Sequence, residues 1–220
     1  LGLGTTGCTG EGQIDKKTPV EIMPGLTAID SIIGQGPVVQ ADDFVVAHYA
    51  GFLYVDGVKG DKFDSSYDKG EPISFPLGRG VVVTGLERGL PGMHVGGKRS
   101  LIISPDLGFG TTGRPPVIPA NATLFFDVEI LDIPILETEI QSEGTGAVAE
   151  VGDQISVHYT GWVWENGERG EEFDSSHNRG MPYKFTLGAG MVIPGWDAGL
   201  EGMKVGTRAR LIIPSSMGYG

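Results

Sequence analysis

The sequence predicts an α+β fold in tandem: two copies of an antiparallel β-sheet, each wrapped around one short α-helix. Three observations carry this. Shifted by 110 positions, residues 45–110 align with residues 155–220 without a gap, and 28 of the 66 positions are identical. A period this long means tandem domains, not a solenoid of small repeats. The 37 glycines and 14 prolines follow no Gly-X-Y period. They punctuate β-rich segments, as strands joined by tight turns require. Finally, each copy holds one helical stretch, VVTGLERGL from Val82 to Leu90 and VIPGWDAGL from Val192 to Leu200. Trp196 and Leu200 fall on one face at i, i+4. About two turns of helix are too short to persist alone, so a sheet must hold them.

Taken in order, residues 1–17 read as a flexible tail, 18–133 as the first domain and 134–220 as the second. Phe44 to Tyr49 is a short apolar strand ending near Gly51, followed by a loop with Asp56-Gly57 and Gly60, then Phe63. Ile73, Phe75 and Leu77 alternate, so they share one strand face. The helix lies around Gly85 to Leu90 and Pro91-Gly92 ends it. Lys98 to Ser104 is a strand. Residues 105–121 form a long loop that suits a cover over a site. The last strand is Thr123 to Ile133, with Leu124, Phe126, Val128 and Ile130 on one face. Short turns throughout predict antiparallel pairing, and the one covered face packs on the helix. Leu136 to Ile140 opens the second copy. That copy stops at Gly220 without counterparts of Thr111 to Ile133, so it is expected to be incomplete and continued in the natural protein.

The net charge of −12 repels phosphate backbones and argues against nucleic-acid binding. No segment approaches 18 apolar residues, so none reads as a transmembrane helix. One cysteine, Cys8, leaves no disulfide framework, and the four histidines never take ligand spacing. No metal and no cofactor are expected. His48 and His158 read as solvated strand-face residues. LGLGTTGC resembles the end of a bacterial lipoprotein signal: Gly7 fits the small residue before the cysteine, whereas Thr5 stands where leucine is usual. The chain is accordingly read as an exported cell-envelope protein with a lipid on Cys8. The alternatives are a lone cysteine in a tail and a cytoplasmic protein.

No GxSxG, HExxH or phosphate-cradling loop is present. What recurs is an apolar set placed to converge: Tyr159, Phe173, Phe185, Val192, Ile193, Trp196 and Tyr219, matched by Tyr49, Phe63, Phe75, Val82, Val83, Leu86 and Phe109. Each residue alone could be plain core. Tyrosine hydroxyls and an indole N–H, however, fill a core poorly without partners. Asp64 and Asp174 directly follow the phenylalanine and need a donor if partly buried. Tyr49 or Lys69, and Tyr159 or Arg179, could supply it. Alternatively the aspartate caps its own turn, as Asp-Ser-Ser suits.

YTG, FDSS, VIPGW, the GM-V-G pattern and SPDLGFG…IPANATLFFDVEIL resemble the FKBP-type peptidyl-prolyl isomerases, which also bind immunosuppressive macrolides. The resemblance covers residues 26–133 as a whole domain and 136–220 as a partial one. It implies a five- or six-stranded antiparallel sheet and an apolar pocket floored at the tryptophan position. It assigns the catalytic site to Tyr159, Phe173, Asp174, Val192, Ile193, Trp196 and Tyr219, with Arg179, Tyr183 and Phe185 binding substrate. Tyr183 replaces a common phenylalanine. In the first copy the binding residues are Tyr49, Phe63, Asp64, Phe75, Val82, Val83, Leu86, Phe109, Ile118 and Phe126. That copy departs more: Leu86 replaces the floor tryptophan, Phe109 lacks a hydroxyl, Lys69 replaces arginine and Ile73 an aromatic. The implied function is isomerisation of Xaa–Pro bonds in support of protein folding. Proline-containing polypeptides are the partners and macrolides candidate ligands. The alternative is a proline-peptide binding or chaperone module with little turnover, above all in the first copy.

Overall fold

The computed structural model describes residues 18–220; the 1–17 tail and the lipidation reading at Cys8 lie outside the described residues. The chain divides into two compact units, one ending at Ile133 and the other beginning at Pro134.

The first unit is built from β1 (Val20–Met23), β2 (Leu26–Ile32), β3 (Phe44–Val55), β4 (Val58–Ser65), a one-turn helix α1 (Ser66–Lys69), β5 (Ile73–Pro76), α2 (Thr84–Gly89), β6 (Lys98–Ile103) and β7 (Leu124–Asp132). The strands form one seven-stranded sheet in the order β1-β2-β6-β7-β3-β4, with β5 on β3. Every pairing is antiparallel. Strands β1 and β2, joined at Pro24-Gly25, make it larger than the resemblance implied.

Strand β3 does not end near Gly51. It runs on to Val55, and its register shifts at Gly51/Phe52. The glycine is there because the Phe63 ring sits on it. A Cβ at Gly51 would lie 2.6 Å from that ring. Asp56-Gly57 is a two-residue hairpin turn with φ of 52° and 79°, and the residues read as loop after it form β4. Paired left-handed residues match the twist of the strands they join.

The core lies between the sheet and α2. Leu101, Ile103, Leu124, Phe126, Val128 and Ile130 point inward from β6 and β7, and Leu86 of α2 and Leu90 just after it meet them. The helix lies very close to the sheet. A Cβ at Gly85 would fall 2.4 Å from Ile103 Cγ2, and one at Gly89 2.6 Å from Leu101 Cδ1. No side chain other than hydrogen fits in those gaps without displacement.

The opposite sheet face is polar and paired. Lys59 bridges to Asp127 at 2.5 Å and lies over the Phe52 ring. Tyr67 donates to Glu129 at 2.9 Å, and Lys98 Nζ is 2.8 Å from the same carboxylate. His48 is half-buried rather than solvated. It stacks on Tyr67, with ring centroids 4.3 Å apart, and its Nδ1 is 2.9 Å from Ser66 Oγ. Burial, followed by the bond to Glu129, pushes the Tyr67 phenol from 10.0 up to about 12. A folded-state value raised this way contributes stability below pH 10.0 that is lost as pH climbs through about 12. Phenolate absorbance should show a group ionising near pH 12 that Tyr67→Phe removes; a late titration left unchanged by that substitution would refute the assignment.

The second unit repeats the pattern with β8 (Glu137–Ser142), β9 (Gln154–Val157), β10 (Thr160–Glu165), β11 (Glu168–Ser175), β12 (Tyr183–Thr186), α3 (Pro194–Leu200) and β13 (Arg208–Ile212). Here the strands pair as three separate two-stranded sheets, the hairpin β10-β11 and the longer-range pairs β12-β9 and β13-β8. In the first unit β7 joins the corresponding strands into one sheet. The helix seat is the same: a Cβ at Gly195 would lie 2.4 Å from Ile213 Cγ2, and one at Gly199 2.8 Å from Leu211 Cδ1. Among the described residues no helix is long and apolar enough to cross a membrane.

Candidate functional site

In the first unit the predicted residues converge over α2. Strand β3 delivers Tyr49, β4 Phe63 and Asp64, and β5 Ile73 and Phe75. The segment before α2 gives Val82 and Val83, and the helix gives Leu86. Loop 105–121 brings Phe109 and Ile118, and β7 brings Phe126. Phe75, Leu86, Ile118 and Phe126 are buried, and the others are half-buried and packed against them. The long loop therefore does cover the site, with Ile118 turned in and Val117 turned out. Phe126 meets Phe63 edge-on at 5.5 Å and Tyr49 at 6.2 Å.

In the second unit the rings form a cage around the floor. Tyr159 meets Trp196 edge-on with centroids 4.7 Å apart, Phe185 lies 5.7 Å from it, and Tyr183 6.3 Å. Trp196 thus has three aromatic neighbours, while Leu86 at the same position is buried in the core of the first unit. Phe173 pairs edge-on with Tyr219 at 6.0 Å, but the two stand outside the cage, 54% and 82% exposed. Their counterparts Phe63 and Phe109 are half-buried in the first unit and packed against its core, Phe63 edge-on to Phe126. Of the second-copy residues, the structure thus gathers Tyr159, Tyr183, Phe185 and Trp196, with Val192 and Ile193 leading into the helix, and leaves Phe173 and Tyr219 at the rim.

The aspartate resolves both ways. In each copy the tyrosine hydroxyl donates to it, Tyr49 to Asp64 and Tyr159 to Asp174. Asp64 also accepts from its neighbour's backbone, Ser65 N–H, at 2.9 Å. Lys69 Nζ sits 2.7 Å from Asp64, and its contact with the Tyr49 hydroxyl is long, 3.5 Å. Arg179 spreads its fork over two groups, donating to Asp174 through Nη1 and to the Tyr159 oxygen at 2.6 Å through Nη2. What the lysine loses is therefore the second arm on the phenol, rather than a fork on the carboxylate.

These contacts set the charges. Burial pushes the Asp64 carboxyl up, but Lys69, Tyr49 and the Ser65 N–H together hold it below its ordinary value. Tyr159 and Arg179 hold Asp174 down. Burial and the adjacent carboxylate push both phenols up. At neutral pH each site holds a charged carboxylate, a neutral phenol and a cation at the mouth of an apolar cleft. Nothing here is an activated nucleophile.

Sequence reasoning missed two contributors. Ser66 and Ser176 are fully buried. Their hydroxyls accept from the Tyr49 and Tyr159 backbone N–H at 2.8 Å in both copies and so fix the tyrosines. The repeat of both serines in DSS was the available signal. Glu87 and Asp197, next to the floor residue, were the other omission.

The chain is similar to several known proteins. The family model for FKBP-type peptidyl-prolyl cis-trans isomerase matches residues 36–131 and 146–220. The peptidyl-prolyl cis-trans isomerase FKBP10 of Homo sapiens is 39% identical over 188 residues, covering 83% of this chain and 31% of that protein. An FK506-binding protein of Streptomyces anulatus is 56% identical over 78 residues, covering 36% of this chain and 60% of its own length. A crystal structure of AtFKBP13 aligns at a TM-score of 0.46 and 35% identity, covering 50% of this chain and 94% of that one. The chain spans about a third of the length of the FKBP10 and FKBP9 relatives it matches. With two family-model matches laid over two units of matching architecture, the chain belongs to the FKBP-type peptidyl-prolyl cis-trans isomerase family.

Proposed function

We propose that the chain isomerises Xaa–Pro bonds in partly folded polypeptides and thereby assists their folding. The observation that carries this is the cage of Tyr159, Tyr183, Phe185 and Trp196. It offers a proline ring an apolar, aromatic floor beside a phenol held by Asp174 and Arg179. The reaction needs no nucleophile. Rotation about the amide is opposed by resonance, with a barrier of about 18–20 kcal/mol. Resonance makes the planar amide more polar than the twisted one. An apolar site therefore favours the twisted state relative to water, which is differential binding of the transition state. Donors aimed at the carbonyl add to this, and the rim hydroxyl of Tyr219 is a candidate.

The first site supports a second reading, a binding module with little turnover. Leu86 removes the aromatic floor and Phe109 the rim hydroxyl, while Ile118 and Phe126 enclose the site. Macrolides of the FK506 type are proposed ligands of the aromatic cage. Export with a lipid on Cys8 is a separate proposal resting on Gly7-Cys8 in the sequence.

The test is cis/trans exchange of a short Xaa–Pro peptide by the 220-residue chain, with and without FK506. Accelerated exchange, suppressed by the macrolide, is expected. Peptide binding without acceleration would replace the enzyme with the binding module.

A further inference from the structure

Each helix carries a carboxylate one residue after its floor, and each carboxylate holds the loop that precedes the helix. In the second unit Asp197 accepts from two backbone amides, Gly188 N–H at 2.8 Å on Oδ1 and Gly190 N–H at 3.2 Å on Oδ2. In the first unit Glu87 accepts from Gly80 N–H at 2.6 Å. Both glycines of the second loop have left-handed φ, 73° at Gly188 and 66° at Gly190, as do Gly78 and Gly80 at 74° and 70°. Alternating left-handed residues aim nearby N–H groups toward one point, where an anion fits. Gly188 has a further constraint, since a Cβ there would lie 2.7 Å from Val151 Cγ1.

The residues that leave this loop are Val192 and Ile193, the wall of the cleft. Ile193 is already tied to the floor, because its carbonyl accepts from Trp196 N–H at 2.9 Å. The wall thus has one anchor on the helix side, and the loop behind it has its own anchor in Asp197. We infer that Asp197 is a positioning residue whose carboxylate clasps loop 188–191 and so holds the Val192–Ile193 wall against the Trp196 floor. Only its consequence for turnover rests on the proposed isomerase function. The clasp does not touch the bound peptide. It sets the width of the cleft that receives it, so its loss weakens ground and transition state alike and raises KM more than it lowers kcat. In the first unit Glu87 makes the corresponding contact with Gly80.

The test uses the full 220-residue chain with Asp197→Ala, Asp197→Asn and Asp197→Glu. Three readouts are followed: amide hydrogen exchange, Ile193–Trp196 nuclear Overhauser contacts, and KM and kcat on a prolyl peptide. In Asp197→Ala, exchange at Gly188 and Gly190 should speed about tenfold or more while the amides of β9 and β12 stay protected. Ile193–Trp196 contacts should weaken and KM should rise several-fold. Asp197→Asn keeps one acceptor oxygen and should release one glycine amide. Asp197→Glu, which has the side chain that reaches Gly80 in the first unit, should restore protection at Gly190 and most of the affinity. Unchanged exchange in Asp197→Ala overturns the clasp. Faster exchange with unchanged Ile193–Trp196 contacts overturns the positioning role. Both readouts hold even if the unsubstituted chain proves inactive, and that result would count against the isomerase function alone.

Discussion

Trp196→Ala should lower kcat/KM for a prolyl peptide about a hundredfold. The indole is the contact point of three other rings, Tyr159, Phe185 and Tyr183, at 4.7, 5.7 and 6.3 Å. Removing it deletes the floor and leaves its neighbours without a common partner. Truncating an aromatic anchor at the centre of a binding site costs from about 2 to 4 kcal/mol of binding and more in the tightest cases. A value of about 3 kcal/mol, at about 1.4 kcal/mol per decade, gives the hundredfold in kcat/KM. The residual activity then reports the first site, whose Leu86 is untouched. Steady-state assay of the full chain checks this, alongside Leu86→Ala as the paired variant. Activity that survives Trp196→Ala and falls in Leu86→Ala would place turnover in the first unit, and the aromatic cage would lose its proposed role.

Phe126→Ala should unfold the first unit under conditions where the second is unaffected. Phe126 is buried near the start of β7, edge-on to Phe63 and beside Tyr49. It also limits the space over Gly51, where a Cβ would lie 2.9 Å from its ring. Its loss should cost about 3–5 kcal/mol, a large share of the stability of a domain this size. The two units can be watched separately, since all three tryptophans, Trp162, Trp164 and Trp196, lie in the second. Far-UV circular dichroism should show an earlier unfolding phase, with the tryptophan fluorescence transition in place. A fluorescence transition that moves in step would mean that the units do not unfold independently.

The repeat made much of this legible in the sequence, because each motif could be read twice. In the Phe126 strand every second residue from Leu124 to Ile130 is apolar, so its buried face was plain. The helix was plain from its two-turn length and its neighbours. Gly51 misled: a glycine closing an apolar run looks like a strand end. Its cause is the ring of Phe63, twelve residues on and across a hairpin, and no local pattern records that. His48 misled for a similar reason, since alternation gives its face but not that Tyr67 would stack on it. Ser66 and Asp197 escaped because short polar residues near glycine read as turn chemistry. What they hold is a backbone amide, and the sequence does not show which one.

The glycine seat beneath each helix has one more consequence. Gly85 and Gly89 meet Ile103 and Leu101 just as Gly195 and Gly199 meet Ile213 and Leu211. Anchorage of the helix is thus carried by backbone and hydrogen atoms on one side, and the shape of the cleft by Leu86 or Trp196 on the other. The two duties fall on different residues of the same segment. After duplication, one copy could trade its floor without disturbing how the helix sits on the sheet. The nonapeptides Val82–Leu90 and Val192–Leu200 are, in this sense, interchangeable inserts on a common mount, and the two sites could drift apart in ligand preference at little expense to folding.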